Sequence, residues 1–124
     1  MLRIMQHQSR FCHVRDLYLN YYTLTIPELH TQQLLTLVHK TLYHSSELPD
    51  VFSDYFTLNR SVHVHETRSQ TDIHIYKAST AFGQRSIKYK GGFLWNNLPP
   101  HLKTIESSRQ FKLLLKHLFY ELNQ

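Results

Sequence analysis

The sequence predicts a mainly α fold: a small helical assembly with a long polar loop and at most one or two short strands. Two stretches, residues 26–44 and 108–122, repeat apolar side chains every three or four positions, which is the spacing of one helix face. Between them, residues 59–80 are polar and lose that periodicity. Hydrophobic residues make up 41% of the 124 positions, so we expect one modest core rather than two lobes around a cleft.

The first segment, residues 1–58, is predicted to be helical. An amphipathic pattern over residues 1–11 indicates one helix, and residues 15–24 fit a short helix or a turn. Thr25 and Glu28 then have the spacing of a capping box, in which each side chain accepts a hydrogen bond from the other residue's backbone N–H. A long helix is therefore expected to follow directly.

A short helix and a linker are predicted next. After a break at residues 45–49, residues 49–56 are expected to form one short helix. Its inward-facing side chains would be Val51, Phe52, Tyr55 and Phe56. Residues 59–80 are predicted to be a flexible, poorly packed linker with at most one strand, at residues 73–76, where apolar and polar side chains alternate.

The last segment should supply most of the core. Residues 86–89 fit either a strand or the start of a helix, and the glycine pair at 91–92 is expected to interrupt whichever forms. Prolines at 99–100 prevent continuation, and Ser107 with Gln110 forms a second capping box ahead of the final amphipathic helix. The predicted core residues are Trp95, Phe93, Leu98, Phe111, Leu115 and Leu118.

The positive charge of the chain is concentrated in residues 81–124. This segment holds seven Lys/Arg and two Asp/Glu, whereas residues 1–80 hold seven of each, so it accounts for the whole formal net charge of +5. Such asymmetry suggests an anionic partner, most commonly nucleic acid, through phosphate neutralisation. A solvated basic surface that keeps the protein soluble explains the same asymmetry equally well.

Two groups of residues are candidates for RNA or DNA binding. The first, which places cations beside an aromatic ring, is Arg85, Lys88, Tyr89 and Lys90. Phosphate contact with base stacking on Tyr89 would suit a single strand or a hybrid duplex. In the alternative interpretation, Tyr89 belongs to the core and the lysines are surface groups. The second group lies on the polar face of the last helix, where any amphipathic helix is charged, and consists of Arg109, Lys112 and Lys116.

The residues that catalysis or metal binding would require are not grouped in the sequence. His63 and His65, with Glu66 and His74, could form half of a zinc site, but solvated loop histidines explain them better. No phosphate-binding loop or carboxylate cluster is present, so we predict no catalytic residue, no metal and no cofactor.

The single cysteine and the hydropathy pattern bear on location. Cys12 cannot form an internal disulfide and is expected to be a buried thiol, which suits a reducing intracellular compartment, whether nucleus or cytoplasm. Its neighbour His13 points in a different direction on a helix, which argues against a Cys–His nucleophile. The chain has no signal peptide pattern and no apolar run long enough to span a membrane, so no membrane association is expected.

The basic stretch and the sequence that follows it resemble a known family. Residues 85–99 read Arg-Ser-Ile-Lys-Tyr-Lys-Gly-Gly-Phe-Leu-Trp-Asn-Asn-Leu-Pro, and a Phe-Lys-x-x-Leu-Lys helix begins at Phe111. This order is similar to the carboxy-terminal region of non-LTR (LINE-type) retrotransposon reverse transcriptases. Residues 2–5, Leu-Arg-Ile-Met, and 38–40, Val-His-Lys, resemble upstream parts of the same region, so the likeness covers nearly the whole chain.

The resemblance implies a segment without catalysis of its own. The family's catalytic aspartates lie upstream in an Ala-Asp-Asp motif, and this sequence contains no Asp-Asp pair. The segment would follow the polymerase thumb, pack against that upstream domain and help to hold template RNA or target DNA. The alternatives are a protein–protein interaction module and an inactive, degenerate copy with no function of its own.

Overall fold

The protein is mainly α-helical, as predicted. A computed structural model describes residues 2–5, 7, 9 and 13–123. The helices in this part of the chain are α1 (Leu2–Met5), α2 (Val14–Asn20), α3 (Ile26–Tyr43), α4 (Asn59–Val62), α5 (Ala81–Gln84), α6 (Ile87–Asn96), α7 (Pro100–Lys103) and α8 (Ser108–Asn123). Short 3₁₀ turns form at Ser45–Glu47 and Asp50–Phe52.

The long helix α3 begins where the capping box was predicted. The backbone N–H of Thr25 donates to Glu28 Oε2 at 2.8 Å, and the Thr25 side chain accepts from the backbone of Glu28 in return. These bonds satisfy donors that the first turn of a helix cannot satisfy internally. The predicted helix over residues 26–44 is confirmed to within one residue.

Helix α8 packs antiparallel to α3. The Gln32 side chain donates to the Lys112 carbonyl at 3.2 Å, and the His44 ring lies 2.7 Å from the Glu106 carbonyl. Positions later in α3 therefore meet positions earlier in the α8 region. Phe111 and Leu115 are fully buried along this contact, which is the face that their helical spacing predicts.

The glycine pair does not interrupt α6, which corrects the prediction from sequence. The helix runs through both glycines because they let it approach its neighbours closely. A Cβ atom on Gly91 would lie 2.8 Å from Phe56 Cε1 and 3.1 Å from Val38 Cγ2, and one on Gly92 would lie 3.2 Å from Ile73 Cγ2. Residues 86–89 are accordingly the start of a helix and not a strand.

The predicted linker is partly built into the core, which is a second correction. Ile73 is 1% exposed, and the Asn96 side chain bonds both its N–H and its carbonyl, at 2.9 and 3.0 Å. An isolated antiparallel bridge joins Leu58 to Ile73. In the part of the chain that the structure describes, β pairing does not extend beyond this single bridge. Residues 61–69 remain exposed, as predicted.

Of the two amino-terminal segments, the one predicted as a helix is helical over a short part, and the one predicted as a short helix or a turn contains a short helix. Helix α1 covers only part of residues 1–11, and His7 has a positive φ of 52°, which a continuing right-handed helix does not allow. Phe11 and Cys12 lie outside the described residues. Helix α2 ends at Asn20, and Tyr22 also has a positive φ, of 49°.

The predicted helix over residues 49–56 is a 3₁₀ turn with only part of its apolar set inside. Phe56 is buried at 5% exposure, whereas Val51 is 66% exposed. Phe52 and Tyr55 are half-buried. The 3₁₀ turn ends at Phe52, and Tyr55 and Phe56 lie beyond it, so the four residues do not share one helical face.

Most of the predicted core is inside, but Phe93 is not. Trp95 is 2% exposed, Leu98 is 8% exposed and Leu118 is half-buried against the same cluster. Phe93 is 52% exposed, so its assignment to the core is wrong. It lies two residues before Trp95, about 200° away around the helix axis, so burying Trp95 turns Phe93 outward.

Candidate nucleic-acid interface

A cavity of about 590 Å³ lies between residues 76–80 and the beginning of α6. Its lining includes two cations, Lys77 and Lys88, and two aromatic side chains, Tyr76 and Tyr89. Of the described residues that line it, none is acidic. A cavity of this size accommodates a small organic group, and its positive lining favours an anionic one.

Two hydroxyl caps shape the wall of the cavity. The Thr80 side chain accepts a hydrogen bond from the Gly83 N–H at 3.1 Å and so begins α5. The Ser86 side chain accepts from the Tyr89 N–H at 3.3 Å and begins α6. Because α6 starts here, Lys88 and Tyr89 in its first turn are held beside residues 76–80.

Tyr89 and Phe93 form a pair of parallel rings on the outside of α6. Their ring planes differ by 4° and their centroids are 6.5 Å apart. Residues four apart on a helix lie on the same face, which explains the alignment. Tyr89 is half-buried and, unlike Tyr55, is not among the side chains that pack against the buried core cluster.

The first predicted binding group is only partly assembled. Lys88 lines the cavity, and its ammonium nitrogen lies 4.8 Å from the centroid of the Tyr55 ring, a cation–π contact. Arg85 is exposed at the end of α5, and Lys90 is half-buried; neither lines the cavity. Of the four residues in this group, Lys88 and Tyr89 therefore line the cavity, whereas Arg85 and Lys90 do not.

The second predicted group lies apart from the cavity, on α8. Arg109 and Lys112 are exposed. The Lys116 ammonium lies 4.6 Å from the centroid of the Tyr22 ring, which packs edge-on against Tyr120. Among the described residues, the seven predicted binding residues therefore belong to at least two separate surfaces.

Reasoning from the sequence missed Tyr76 and Lys77. They form an aromatic–basic pair, as Lys88 and Tyr89 do, and that repeated pairing was the signal available in the sequence. The strand predicted for residues 73–76 concealed it, because a strand would have placed Tyr76 and Lys77 on opposite faces.

One basic residue of the last segment is used inside the fold. Lys103 donates to the Asn96 carbonyl at 2.9 Å and to Asp72 Oδ1 at 3.4 Å. These bonds join α7, α6 and the segment around residue 72. Lys103 is half-buried in this arrangement, so its charge stabilises the fold and is not presented to a partner.

The histidine-rich region shows paired contacts and no larger ligand cluster. The His63 and His74 rings lie 5.3 Å apart, and His74 Nδ1 lies 3.3 Å from Asn59 Oδ1. His65 and Glu66 are exposed. Within the described ranges, no three His, Cys, Asp or Glu side chains are grouped so that they could hold a metal ion.

The Trp-Asn-Asn-Leu-Pro order at residues 95–99 has a clear structural use in this chain. The Trp-Asn-Asn-Leu-Pro run buries Trp95 and Leu98, ties Asn96 to Ile73, and bonds the Asn97 side chain to the Phe93 carbonyl at 3.0 Å. Trp95 and Leu98 thereby belong to the buried core cluster.

No family model, curated protein or solved structure matches this chain. The resemblance to retrotransposon reverse transcriptases therefore remains a prediction carried by the residues quoted for it. None of the helices described is both long and apolar enough to cross a bilayer.

Part of the final helix presents apolar side chains to solvent. Leu113, Leu114 and Leu122 are 54%, 44% and 73% exposed. The apolar spacing predicts that Leu114 and Leu122 face inward with Phe111 and Leu115. The contact with α3 buries Phe111 and Leu115 but leaves Leu114 and Leu122 exposed. The exposed leucines are the structural basis for the alternative of a protein–protein interaction module.

Proposed function

We propose that this chain is a non-catalytic, nucleic-acid-associated segment similar to the carboxy-terminal tail of a non-LTR retrotransposon reverse transcriptase. The observation that carries the proposal is the cavity beside α6, where Lys77 and Lys88 meet Tyr76 and Tyr89 with no acidic residue among the described lining. Cations next to accessible rings suit phosphates and bases together.

The positions of the carboxylates support a binding role rather than a catalytic one. Two-metal phosphoryl-transfer sites bring several carboxylates within a few ångströms of each other. Asp50 and Asp54 are exposed, and Asp72 is engaged by Lys103. In the proposed role, chemistry belongs to an upstream polymerase domain, and this segment packs beside that domain and helps to hold template RNA or target DNA within the cell.

Salt dependence of binding tests the proposal. The full chain is titrated into fluorescently labelled RNA and DNA at several salt concentrations, and binding is followed by anisotropy. If about three phosphates of a single strand are neutralised, affinity should fall roughly twenty-fold between about 50 and 200 mM salt. Absence of binding at the lowest salt, or affinity indifferent to salt, contradicts the proposal.

The same experiment distinguishes the proposed function from the alternative of a protein–protein interaction module. A partner protein docked on Leu113, Leu114 and Leu122 would bury apolar surface, and such an interface responds little to ionic strength. A degenerate copy with no function would show neither kind of binding. The origin is tested independently by reading the genomic sequence upstream of the Met1 codon, where an in-frame Ala-Asp-Asp motif is expected.

A further inference from the structure

We infer that the surface beside α6 recognises unpaired nucleotides, so that its partner is a single strand of RNA or DNA rather than a duplex. This inference rests on the proposed function and specifies its ligand. A base would stack on the Tyr89–Phe93 ring pair, and the neighbouring phosphates would lie beside Lys77 and Lys88.

The ring pair is the first observation. Phe93 is 52% exposed although it is a large apolar side chain in the middle of a packed helix, and its plane lies within 4° of that of Tyr89. Two parallel rings one helical turn apart, Phe93 exposed and Tyr89 half-buried, offer successive stacking positions along α6. In a duplex the base faces are covered by their neighbours, so stacking of this kind requires unpaired bases.

The charges around the rings are the second observation. Tyr89 lines the cavity that also holds Lys77 and Lys88, so one end of the ring pair opens onto a positively charged wall. The contact with Tyr55 holds the Lys88 ammonium, which has no ion pair with a carboxylate in the part of the chain that the structure describes. A strand that follows the ring pair would therefore place its backbone against cations.

The cations on α8 lack this combination. Arg109 and Lys112 are exposed. The Lys116 ammonium lies over the Tyr22 ring, and that ring packs edge-on against Tyr120. Binding on α8 would consist of phosphate contacts without stacking, and such contacts do not distinguish a single strand from a duplex. The two surfaces can therefore be separated by mutation.

The test uses the full chain and three labelled probes of about twelve nucleotides: oligo-dT, oligo-rU and a DNA duplex. Anisotropy at about 50 mM salt gives each affinity. We expect both single strands to bind at least about five-fold more tightly than the duplex, since one stacked base is worth that factor or more. A difference between the rU and dT probes shows whether RNA or DNA is preferred, and a preference for either supports single-strand recognition.

Matched variants locate the site. Phe93→Leu keeps an apolar side chain but removes the ring, and should weaken single-strand binding at least about five-fold without changing duplex binding. Phe93→Trp should retain the affinity. The control Leu122→Ala removes an apolar group from α8 that is even more exposed, at 73% against 52% for Phe93, and should have no effect. Lys77→Ala should weaken single-strand binding more than Arg109→Ala does.

The outcomes distinguish the two proposals. If no probe binds at low salt, the proposed function fails and the inference fails with it. If all probes bind equally, or Phe93→Leu binds as the unmodified chain does while circular dichroism shows both folded, the stacking site is overturned and the proposed function stands. Equal losses from Lys77→Ala and Arg109→Ala would likewise overturn it in favour of diffuse phosphate binding.

Discussion

Gly91→Ala should destabilise the protein, although alanine is the better helix former. In an open helix, this substitution stabilises by about 1 kcal/mol. Here the added methyl group would lie 2.8 Å and 2.9 Å from two ring carbons of Phe56 and 3.1 Å from a methyl carbon of Val38. Overpacking of a buried contact costs about 1–3 kcal/mol, so we expect a net loss of about 1 kcal/mol in the free energy of unfolding.

A second substitution turns this expectation into a strict test. Phe56→Leu deletes both ring atoms nearest to the new methyl group, so Gly91→Ala made in that background should be neutral or slightly stabilising. The two changes together should show a coupling energy of about 1 kcal/mol, with some strain remaining against Val38.

The free energy of unfolding is measured by urea unfolding. The transition is monitored by fluorescence of the single tryptophan, Trp95, and by far-ultraviolet circular dichroism. Additive effects of Gly91→Ala and Phe56→Leu would show that α6 does not approach Phe56 as described. An increase of about 1 kcal/mol from Gly91→Ala alone would refute the reasoning in the same way.

Three further predictions concern the core. Trp95→Ala should lower the free energy of unfolding by about 3 kcal/mol or more, because the side chain is 2% exposed; coincident thermal melts would place it on the surface. Asn96→Ala removes both hydrogen bonds to the Ile73 backbone and should lower the free energy of unfolding by about 2 kcal/mol, with faster amide hydrogen exchange at residue 73. Unchanged exchange at residue 73 would contradict the role of these two hydrogen bonds. The third concerns pH. Burial of the His39 ring lowers its pKa, although its bond to the Ile105 carbonyl opposes this, so the folded state binds a proton at His39 less readily than the unfolded chain, whose His39 has the usual pKa of about 6.5. Stability from His39 is complete above that pH and falls below it, by up to roughly 1.4 kcal/mol per pH unit. Urea midpoints measured between about pH 5 and 8 should show this slope in the unmodified chain and less of it in His39→Gln; equal slopes would mean that other histidines are responsible.

The elements that the sequence predicted well are those whose signals lie close together in the chain. The capping box at Thr25 and Glu28 spans four residues, and the apolar spacing around Phe111 and Leu115 repeats within two turns. Both signals depend on helix geometry alone, which is the same in every protein. The bounds of α3 and the buried face of α8 followed from them.

Two of the errors, on the glycine pair and on Ile73, have the opposite property, because each depended on a residue far away in sequence. The glycines at 91–92 usually indicate a break, and only the closeness of Phe56 shows why they occur inside a helix. Ile73 lies in a polar stretch, and its burial depends on Asn96, twenty-three residues later. For the candidate site, Lys88 was found beside Tyr89 by adjacency, but Lys77 was not, since only the fold brings it there.

The helix register that forms the core also creates the candidate binding surface. The close approach of α6 at Gly91 allows Trp95 to insert beside Phe111, with ring centroids 5.7 Å apart. Fixing Trp95 inward sets the rotation of the whole helix. At about 100° per residue, Phe93 lies about 200° and Tyr89 about 120° from Trp95 around the axis, so Phe93 points away from the core and Tyr89 lies at its side. Their exposure is therefore a consequence of packing and not a defect in it. Net charge alone indicates an anionic partner but does not locate the binding surface. The rotation of α6 locates it, because this rotation places two aromatic rings beside the cavity that Lys77 and Lys88 line.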